Sequence, residues 1–544
     1  MARNSRNLTC GQATMALLEA YGADTVFGIP GVDTRELYRG LAATGLRHVQ
    51  PRHEQGAGFM ADGYARVSGR PAVCLLITGP GLTNAATAIG QAYSDSVPMI
   101  VVTTVQATAD LGAGRNKLHE ITRQSDAIAP LTAFSTTALA PGHVAEAIAR
   151  AYTRFATTRP RPVHLELPLD VLVAPATFAA EPRTIARPPA PDAAEVDRAA
   201  RLLAKAKRPV MIMGGGAADC GPTARALAER VGAAIIPTIA GKGAVREDHP
   251  LCLGAVLPVR PAREFLRQAD VVVAVGTEMS ETDHWTDRLQ LDGKLIRIDL
   301  DADSLVRDYP PDVAILADAG AALGAIVKAL GPSKAGESRG YANRHGLTAA
   351  RKSIAAGPNV VMTSNAGRKH IALLKALREA VPEDGIVFSD ATQIAYTGNT
   401  YYPCWRPRTW FHPVGYCTLG FAMPAALGGK LAAPDRPVVA LSGDGGFLFT
   451  VAELGTAVEQ RLPVPIVLWN NDGYGEIRDN MIGQGIPAIG VSPRNPDYVA
   501  LAKAFGARAV RPTSMTGFQA ALRKAFKADG PTLIEVHQDS AFLP

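Results

Sequence analysis

The stretch Val439–Tyr474, VALSGDGGFLFTVAELGTAVEQRLPVPIVLWNNDGY, alternates apolar and polar segments in the way that predicts a strand, a helix and a second strand. The first apolar run leads into GDGG (443–446), and the second ends at NNDG (470–473). In a strand–helix–strand unit the two strands are parallel, so their carboxyl ends lie at one edge of the sheet. Asp444 and Asn471, which are 27 positions apart, are therefore expected to meet.

These residues have the chemistry of a Mg²⁺ site beside a diphosphate. Asp444 supplies a carboxylate, Asn471 an amide oxygen and Gly473 a backbone carbonyl, and Mg²⁺ completes its shell with water and phosphate oxygens. The glycines of GDGG let backbone N–H groups approach an anion, and a helix expected to begin near Leu448 adds its positive end. An ordinary Asp-Gly turn remains the alternative explanation of GDGG alone.

Together, the GDGG and NNDG segments resemble the diphosphate-binding signature of thiamine-diphosphate (ThDP) enzymes. Almost the whole chain is similar to the acetolactate synthase and 2-oxo acid decarboxylase group of that family. The resemblance implies an α/β fold of three doubly wound parallel-sheet domains in series. We expect an N-terminal pyrimidine-binding domain at 1–175, a central domain at 196–330 and a C-terminal diphosphate-binding domain at 366–544, joined by a proline-rich linker and by a second linker from Gly331 to about Arg368.

Glu54 lies in the segment RHEQGAGFMADGYAR (52–66), which resembles the pyrimidine-domain motif of the family. The resemblance implies that Glu54 hydrogen bonds to the pyrimidine ring of the cofactor and promotes the tautomer that removes the thiazolium proton. A carboxylate at a helix start is otherwise a common partner of the helix dipole.

Other cofactor contacts follow from the same resemblance. The segment TGPGLTNAATAIG (78–90) is similar to a cofactor-lining loop and helix, although its glycines and Asn84 also fit a plain turn and helix cap. Leu419 matches the apolar residue that bends the cofactor, and the carbonyl of Cys417 matches the acceptor for its amino group; a leucine there is otherwise ordinary core. The expected cofactor-binding residues are Glu54, Gly79, Asn84, Thr392, Gln393, Cys417, Leu419, Gly443, Asp444, Gly445, Gly446, Asn471 and Tyr474.

Two loops depart from the acetolactate synthase pattern on the substrate side. Leu118-His119-Glu120 replaces a Phe-Gln-Glu run, and His119 becomes a candidate acid or base, with a surface histidine as the alternative. LHEI and GYGEI (473–477) resemble 5-guanidino-2-oxopentanoate (2-ketoarginine) decarboxylases, in which case Glu476 and Asp479 are natural partners of a guanidinium. The alternative is an exposed, charged first helical turn.

The central domain contains Gly214-Gly215-Gly216 at a strand end, which a structural turn explains better than a nucleotide site. In acetolactate synthases this domain holds FAD. Here the segment EMSETDHW (278–285) replaces the Arg-Phe-Asp-Asp run of those enzymes, which argues against FAD and for a degenerate central domain.

The composition fits an ordinary cytoplasmic enzyme. A net charge of +6 over 544 residues, without a run of Lys or Arg, argues against nucleic acid as a partner. The six cysteines lack paired spacing, which indicates reduced thiols. The N-terminal segment has no apolar signal core, and no continuous apolar stretch is long enough to span a membrane.

The sequence therefore predicts a ThDP- and Mg²⁺-dependent non-oxidative decarboxylase of a 2-oxo acid, with His119 as the candidate proton donor. The alternative is an acetolactate synthase-like carboligase, which shares the cofactor residues and joins two 2-oxo acids. A nucleotide-binding protein without chemistry is a third possibility that the ordered set of cofactor motifs disfavours. The resemblance implies a homodimer or homotetramer with active sites between the first domain of one subunit and the third domain of another.

Overall fold

Three all-parallel sheets follow one another along the chain in the computed structural model, which describes residues 8–332, 340–342, 347–356 and 364–544. Helices pack on both faces of each sheet, so the inner strands are almost entirely buried, whereas most edge strands are partly exposed. The predicted fold class is confirmed. Within the described ranges, no helix combines the length and the apolarity that a membrane span requires.

The N-terminal sheet has the strand order β2-β1-β3-β4-β6-β5. Its strands are β1 Thr25–Gly28, β2 Arg47–Val49, β3 Ala72–Leu76, β4 Met99–Val105, β5 Phe134–Thr137 and β6 Val163–Pro168. The helices are α1 Cys10–Ala20, α2 Arg35–Leu41, α3 Glu54–Ser68, α4 Pro80–Ser94, α5 Gln124–Ile128, α6 Pro141–Thr157 and α7 Leu169–Val173.

The central sheet has five strands in the order β11-β10-β9-β7-β8. Its strands are β7 Pro209–Met213, β8 Ala234–Pro237, β9 Val271–Val275, β10 Lys294–Asp299 and β11 Val313–Leu316. The helices are α8 Ala193–Lys205, α9 Gly221–Val231, α10 Arg260–Arg267, α11 Glu281–His284, α12 Ala302–Val306, α13 Ala319–Ala329 and α14 Thr348–Ala356. The glycine triplet packs inside the protein: the backbone N–H groups of Gly214 and Gly216 donate to the carbonyls of Val275 (2.9 Å) and Gly276 (3.1 Å).

The C-terminal sheet has the strand order β13-β12-β14-β15-β17-β16. Its strands are β12 Ile386–Ser389, β13 Trp410–Phe411, β14 Val438–Gly443, β15 Pro465–Asn470, β16 Arg508–Val510 and β17 Thr532–His537. The helices are α15 Asn365–Ala380, α16 Gln393–Tyr401, α17 Ala422–Ala432, α18 Asp444–Phe449, α19 Glu453–Glu459, α20 Gly475–Gly483, α21 Tyr498–Ala504 and α22 Met515–Ala525.

Three boundaries differ from the sequence predictions. The helix after GDGG begins at Asp444 rather than near Leu448, and it has only six residues. The helix after β3 begins at Pro80, because proline is well suited to the first helical position, so Asn84 lies inside α4 and does not cap it. The linker predicted from Gly331 to about Arg368 lies partly outside the described residues, and its described part contains α14 and the start of α15.

Helices α3 and α17 join the N-terminal and C-terminal sheets by direct backbone contact. A Cβ atom on Gly63 would lie 1.9 Å from the carbonyl oxygen of Ala425, and one on Gly428 would lie 1.9 Å from that of Met60. Any larger side chain at either glycine would push the helices apart. Phe59 and Phe421 pack edge to face beside this crossing, in one apolar core that both sheets share. The first turn of α3, which carries Glu54, is thereby fixed relative to the C-terminal sheet.

Candidate active site

The carboxyl ends of β14 and β15 bring Asp444 and Asn471 together. The two strands pair in parallel with Gly443 opposite Trp469, so the residues that follow them emerge at the same edge. Both side chains are buried, and Asp444 Oδ1 lies 2.9 Å from the terminal amide atom of Asn471 that faces it. The meeting predicted from the sequence is present in the structure.

Three oxygen atoms converge at this edge. In one orientation of the Asn471 amide, its side-chain oxygen lies 2.9 Å from Asp444 Oδ1 and 2.9 Å from the carbonyl oxygen of Gly473. In the opposite orientation the amide nitrogen occupies that position and donates to both oxygens. Oxygens brought this close repel each other unless a cation lies among them, and a carboxylate, an amide and a carbonyl are ligands that Mg²⁺ accepts. The residues present therefore fit the ion.

The second oxygen of Asp444 is held by the protein. Asp444 Oδ2 accepts from the backbone N–H of Gly473 (2.7 Å) and from Asn495 Nδ2 (2.7 Å), which leaves Oδ1 to face the oxygen cluster. Asn495 is 51 positions from Asp444 and was missed by the sequence analysis, because nothing near it marks a site. Among the described residues, no cluster of three or more His, Cys, Asp and Glu side chains could hold a metal.

The three glycines around Asp444 are explained by packing within the protein. A Cβ atom would lie 2.7 Å from Thr392 Oγ1 at Gly443, 2.7 Å from the Tyr474 ring at Gly445, and 2.8 Å from Asp390 Oδ2 at Gly446. The loop is thus pressed against the residues predicted to contact the cofactor, Thr392 and Tyr474. The oxygen cluster, and not the glycines, therefore indicates a cation site.

Asp390 is a second buried carboxylate that the sequence analysis missed. Its oxygens accept from the backbone N–H groups of Ala391 (2.9 Å) and Gly420 (3.0 and 3.1 Å) and from the Ser442 hydroxyl (3.1 Å). Burial outweighs these hydrogen bonds and raises the pKa of Asp390 to about 6. Asp390 connects the end of β14 to the loop that carries Cys417 and Leu419.

That loop is also held from the N-terminal domain. Gln91 Oε1, on α4, accepts from the backbone N–H and the hydroxyl of Thr418, both at 3.2 Å. Cys417 has a left-handed backbone conformation (φ 53°), and Leu419 is half-buried between the two anchored residues Thr418 and Gly420. This arrangement gives Leu419 a fixed position, as the predicted wedge requires.

Glu54 begins α3, and its side chain has one hydrogen-bond partner among the described residues. Asn84 Nδ2, on α4, donates to Glu54 Oε2 at 2.9 Å. The two helices approach closely because Gly58 has no side chain; a Cβ atom there would lie 2.5 Å from Ala88 Cβ. Glu54 Oε1 has no hydrogen-bond partner in the part of the chain that the structure describes, so it is available to a ligand.

Glu453 fixes the backbone just before Glu54. It is 1% exposed, and its carboxylate accepts from the backbone N–H groups of Arg52 (3.0 Å) and His53 (3.0 Å) and from the Thr456 hydroxyl (2.8 Å). Burial raises the pKa of Glu453 to about 7 against these hydrogen bonds. Sequence reasoning missed this residue, because its partner His53 lies 400 positions away.

His119 packs against Gly79. Its Nδ1 lies 3.0 Å from Asp33 Oδ2, and its own backbone has a left-handed conformation (φ 60°). Gly79 is also left-handed (φ 65°), and a Cβ atom there would lie 2.4 Å from the carbonyl oxygen of His119. The predicted residues Gly79 and His119 are therefore brought together, while Leu118 beside them is 64% exposed.

Glu476 and Asp479 lie on the first turns of α20, close to the oxygen cluster. Asp479 Oδ2 accepts from Gln393 Nε2 (2.8 Å), and Gln393 Oε1 accepts from Asn471 Nδ2 (3.0 Å). Desolvation raises the pKa of Glu476, opposed by a hydrogen bond with Gln393. Both carboxylates are exposed to solvent. Among the described residues, no hydrogen bond or ion pair joins Glu54 or His119 to the Asp444–Asn471 cluster.

Comparison with known proteins gives a consistent result along the chain. Residues 8–128 match the N-terminal TPP binding domain of thiamine pyrophosphate enzymes, 196–326 their central domain, and 390–536 their C-terminal TPP binding domain. The probable 2-ketoarginine decarboxylase AruI of Pseudomonas aeruginosa is 48% identical over 539 residues, covering 98% of this chain and 95% of that protein. The acetolactate synthase isozyme 1 large subunit of Escherichia coli is 31% identical, with 98% and 95% covered, and the acetolactate synthase large subunit of Corynebacterium glutamicum is 32% identical, with 99% and 88% covered.

Proposed function

This chain belongs to the thiamine pyrophosphate enzyme family, and we propose that it is a ThDP- and Mg²⁺-dependent decarboxylase acting on 5-guanidino-2-oxopentanoate. The observation that carries the proposal is the contrast between relatives. The protein named as a probable 2-ketoarginine decarboxylase is 48% identical over nearly the full length, against 31% and 32% for two acetolactate synthases of similar coverage. The substrate-side loops LHEI and GYGEI support the same assignment.

We assign the metal to Asp444, Asn471 and the carbonyl of Gly473. Their converging oxygens support this assignment, and Asn495 keeps Asp444 in the required orientation. The neighbouring backbone at 443–446 and the side chains of Thr392 and Tyr474 border the space where the diphosphate would bind. The cation would neutralise the diphosphate and fix it against the ends of β14 and β15.

When bound, the cofactor supplies a carbon nucleophile that adds to the keto group of the substrate and accepts the electron pair released as CO₂ leaves. Glu54 Oε1 would form a hydrogen bond with a ring nitrogen of the cofactor's aminopyrimidine, while Asn84 holds Oε2. Glu453 supports this role because it fixes the two residues before Glu54. Leu419 and the Cys417 carbonyl would hold the cofactor from the loop between β13 and α17.

His119 is assigned to proton transfer at the carbon that loses CO₂. Its Nδ1 is directed to Asp33, so Nε2 is the nitrogen that would face the substrate. The carboxylate of Asp33 would accept from Nδ1–H, which fixes the orientation of the ring and leaves Nε2 to exchange a proton with the substrate. The neighbouring Leu118 is exposed and would contribute apolar contact to a bound substrate.

Glu476 and Asp479 are assigned to the guanidinium end of the substrate. A carboxylate binds a guanidinium with two parallel hydrogen bonds, which makes this pairing both strong and selective. In the cation-free protein, Gln393 hydrogen bonds to one oxygen of Asp479 and also to Glu476, so both carboxylates lie around the same amide.

All six cysteines lie in the described ranges and none is paired, which supports our proposal of a cytoplasmic enzyme.

The decisive test is to supply purified protein with ThDP and Mg²⁺ and to offer 5-guanidino-2-oxopentanoate and pyruvate separately, with products identified by mass spectrometry. We expect 4-guanidinobutanal and CO₂ from the first and little acetolactate from the second. Acetolactate as the main product would make the protein a carboligase, the function that the full-length similarity to acetolactate synthases supports as the second candidate. Glu476→Gln should raise KM for the guanidino substrate without a comparable effect on a 2-oxo acid of similar length that lacks the guanidinium.

We further propose a homodimer or homotetramer in which Glu54 and Asp444 of one active site come from two subunits. Glu54→Gln and Asp444→Ala variants should each be inactive alone. Mixed after reversible dissociation, they should regain up to about a quarter of wild-type activity, because half of random dimers are hybrids and each hybrid has one intact site. Hybrids without activity would contradict the shared site and leave the reaction assignment untouched.

A further inference from the structure

The side-chain amide of Asn471 lies between two sets of acceptors. On one side are Asp444 Oδ1 and the Gly473 carbonyl, each 2.9 Å away, and on the other is Gln393 Oε1 at 3.0 Å. The amide can present its oxygen to only one side at a time. A cation at the oxygen cluster requires the oxygen there, and therefore the nitrogen toward Gln393.

The side chain of Asp479 determines how Gln393 is oriented. An ionised carboxylate can only accept, so Gln393 presents Nε2 to Asp479 Oδ2 (2.8 Å) and turns Oε1 toward Asn471. Glu476 is a second carboxylate beside the Gln393 amide, and its charged form is stabilised by that amide. Gly475 leaves room for the contact, because a Cβ atom there would lie 2.2 Å from Asn471 Nδ2 and 2.8 Å from Gln393 Oε1.

In the cation-free protein, the direction of these hydrogen bonds limits which way the Asn471 amide can turn. Without Gln393, the Asn471 amide would turn and donate to both Asp444 Oδ1 and the Gly473 carbonyl, which satisfies all three groups. A cation would then have to break two hydrogen bonds and rotate the amide before binding. With Gln393 oriented by Asp479, the rotated state costs a close contact between two amide oxygens.

We infer that Gln393 and Asp479 are positioning residues that hold the Asn471 amide with its oxygen toward the cation site. This role is distinct from the direct cofactor contact expected of Gln393 and the substrate contact expected of Asp479. It rests on the proposed metal site and explains why Asp479, Gln393 and Asn471 form a chain of hydrogen bonds that ends at the site. The site is thereby organised before the ion arrives, which lowers the cost of binding.

The test measures Mg²⁺ affinity by isothermal titration calorimetry at saturating ThDP, so that it does not depend on turnover. Gln393→Leu should weaken Mg²⁺ binding about tenfold, the factor that corresponds to ~1.4 kcal/mol. Gln484→Leu is the matched control, because Gln484 makes a similar amide-to-amide hydrogen bond with Asn480 (2.8 Å) at the far end of α20. The control should bind Mg²⁺ like the wild type.

Repeating the Gln393 substitution in an Asn471→Asp variant separates a positioning role from direct contact with the ion. Asn471→Asp offers an oxygen in either orientation, so adding Gln393→Leu to it should change Mg²⁺ affinity less than about twofold. An equal loss in both backgrounds, or wild-type affinity in Gln393→Leu alone, would overturn the inference while the metal site stands. Absence of Mg²⁺ binding in the wild type with ThDP present would instead overturn the proposed function.

Discussion

Replacing Glu453 with glutamine should remove a pH-dependent cost of folding at the joint between the N-terminal and C-terminal domains. The carboxyl is 1% exposed, and its pKa is raised from 4.5 to about 7 by burial, despite hydrogen bonds from Arg52, His53 and Thr456. Glutamine has nearly the same shape and keeps an oxygen that can accept from the two backbone N–H groups. The substitution therefore changes the charge far more than the packing.

The direction in which stability changes with pH follows from proton binding. Between pH 4.5 and 7 the folded protein retains a proton on Glu453 that the unfolded chain has released, so rising pH favours unfolding in this window. At ~1.4 kcal/mol for each pKa unit, the raised pKa costs the wild type ~3 kcal/mol of stability by pH 8 relative to pH 4. The variant has no such loss, so its stability relative to the wild type should rise across the same window.

Thermal unfolding followed by near-UV circular dichroism at pH 5, 6, 7 and 8 measures this difference. A change of ~3 kcal/mol corresponds to roughly 6–12 °C in the difference between the two melting temperatures, for a cooperative unit of 150–250 residues. Glu459→Gln, in the same helix but half-exposed, should show a small and nearly constant difference, as surface pairs do. A constant difference for Glu453→Gln would refute the raised pKa.

Three further substitutions test the site and the helix crossing. Glu54→Gln should keep ThDP affinity, measured by calorimetry, within about twofold, while turnover in a steady-state assay falls at least ~100-fold, the lower range for an acid–base group. Retained activity would remove Glu54 from the reaction. Asp444→Ala should weaken Mg²⁺-dependent ThDP binding at least tenfold (~1.4 kcal/mol or more), and an unchanged affinity would remove Asp444 from the metal site. Gly63→Ala should lower the free energy of unfolding by about 1–3 kcal/mol, because its Cβ would lie 1.9 Å from the Ala425 carbonyl oxygen, whereas Gly483→Ala, at a position with open space, should leave it unchanged. Equal melting temperatures for the two variants would contradict the close crossing.

The strand ends were predictable because apolar runs followed by polar turns mark them directly. That is why the meeting of Asp444 and Asn471 was expected and is present. The start of α18 at Asp444 was not expected, because three glycines conceal a helix that is stabilised by its packing and not by propensity. The helix cap that was the alternative explanation of Asn84 is excluded, because Pro80 begins α4 one turn earlier.

The supporting contacts could not be predicted, because they join residues that no local pattern relates. His119 and Asp33 are 86 positions apart, and Glu453 and His53 are 400 apart. A single sequence contains no signal for such pairs, whose partners are brought together only by the order of strands in a sheet or by helix packing. What the sequence does contain is the residue type: a buried acid or amide without a local partner predicts that a distant partner exists.

The contacts at the helix crossing connect the region around Glu54 with the Asp444–Asn471 cluster, although the two lie apart. Gly63 and Gly428 let α3 and α17 touch along their backbones, and Glu453 ties the chain before α3 to α19 of the C-terminal domain. Glu54 and the Asp444–Asn471 cluster of one chain are therefore held in a fixed relation through rigid contacts, without a bond between them. In the proposed assembly, a cofactor that contacts Glu54 of one subunit and the Asp444–Asn471 cluster of another would meet them in a geometry that these rigid contacts help to fix. Packing at this crossing thus controls the chemistry even though neither glycine touches a reacting atom.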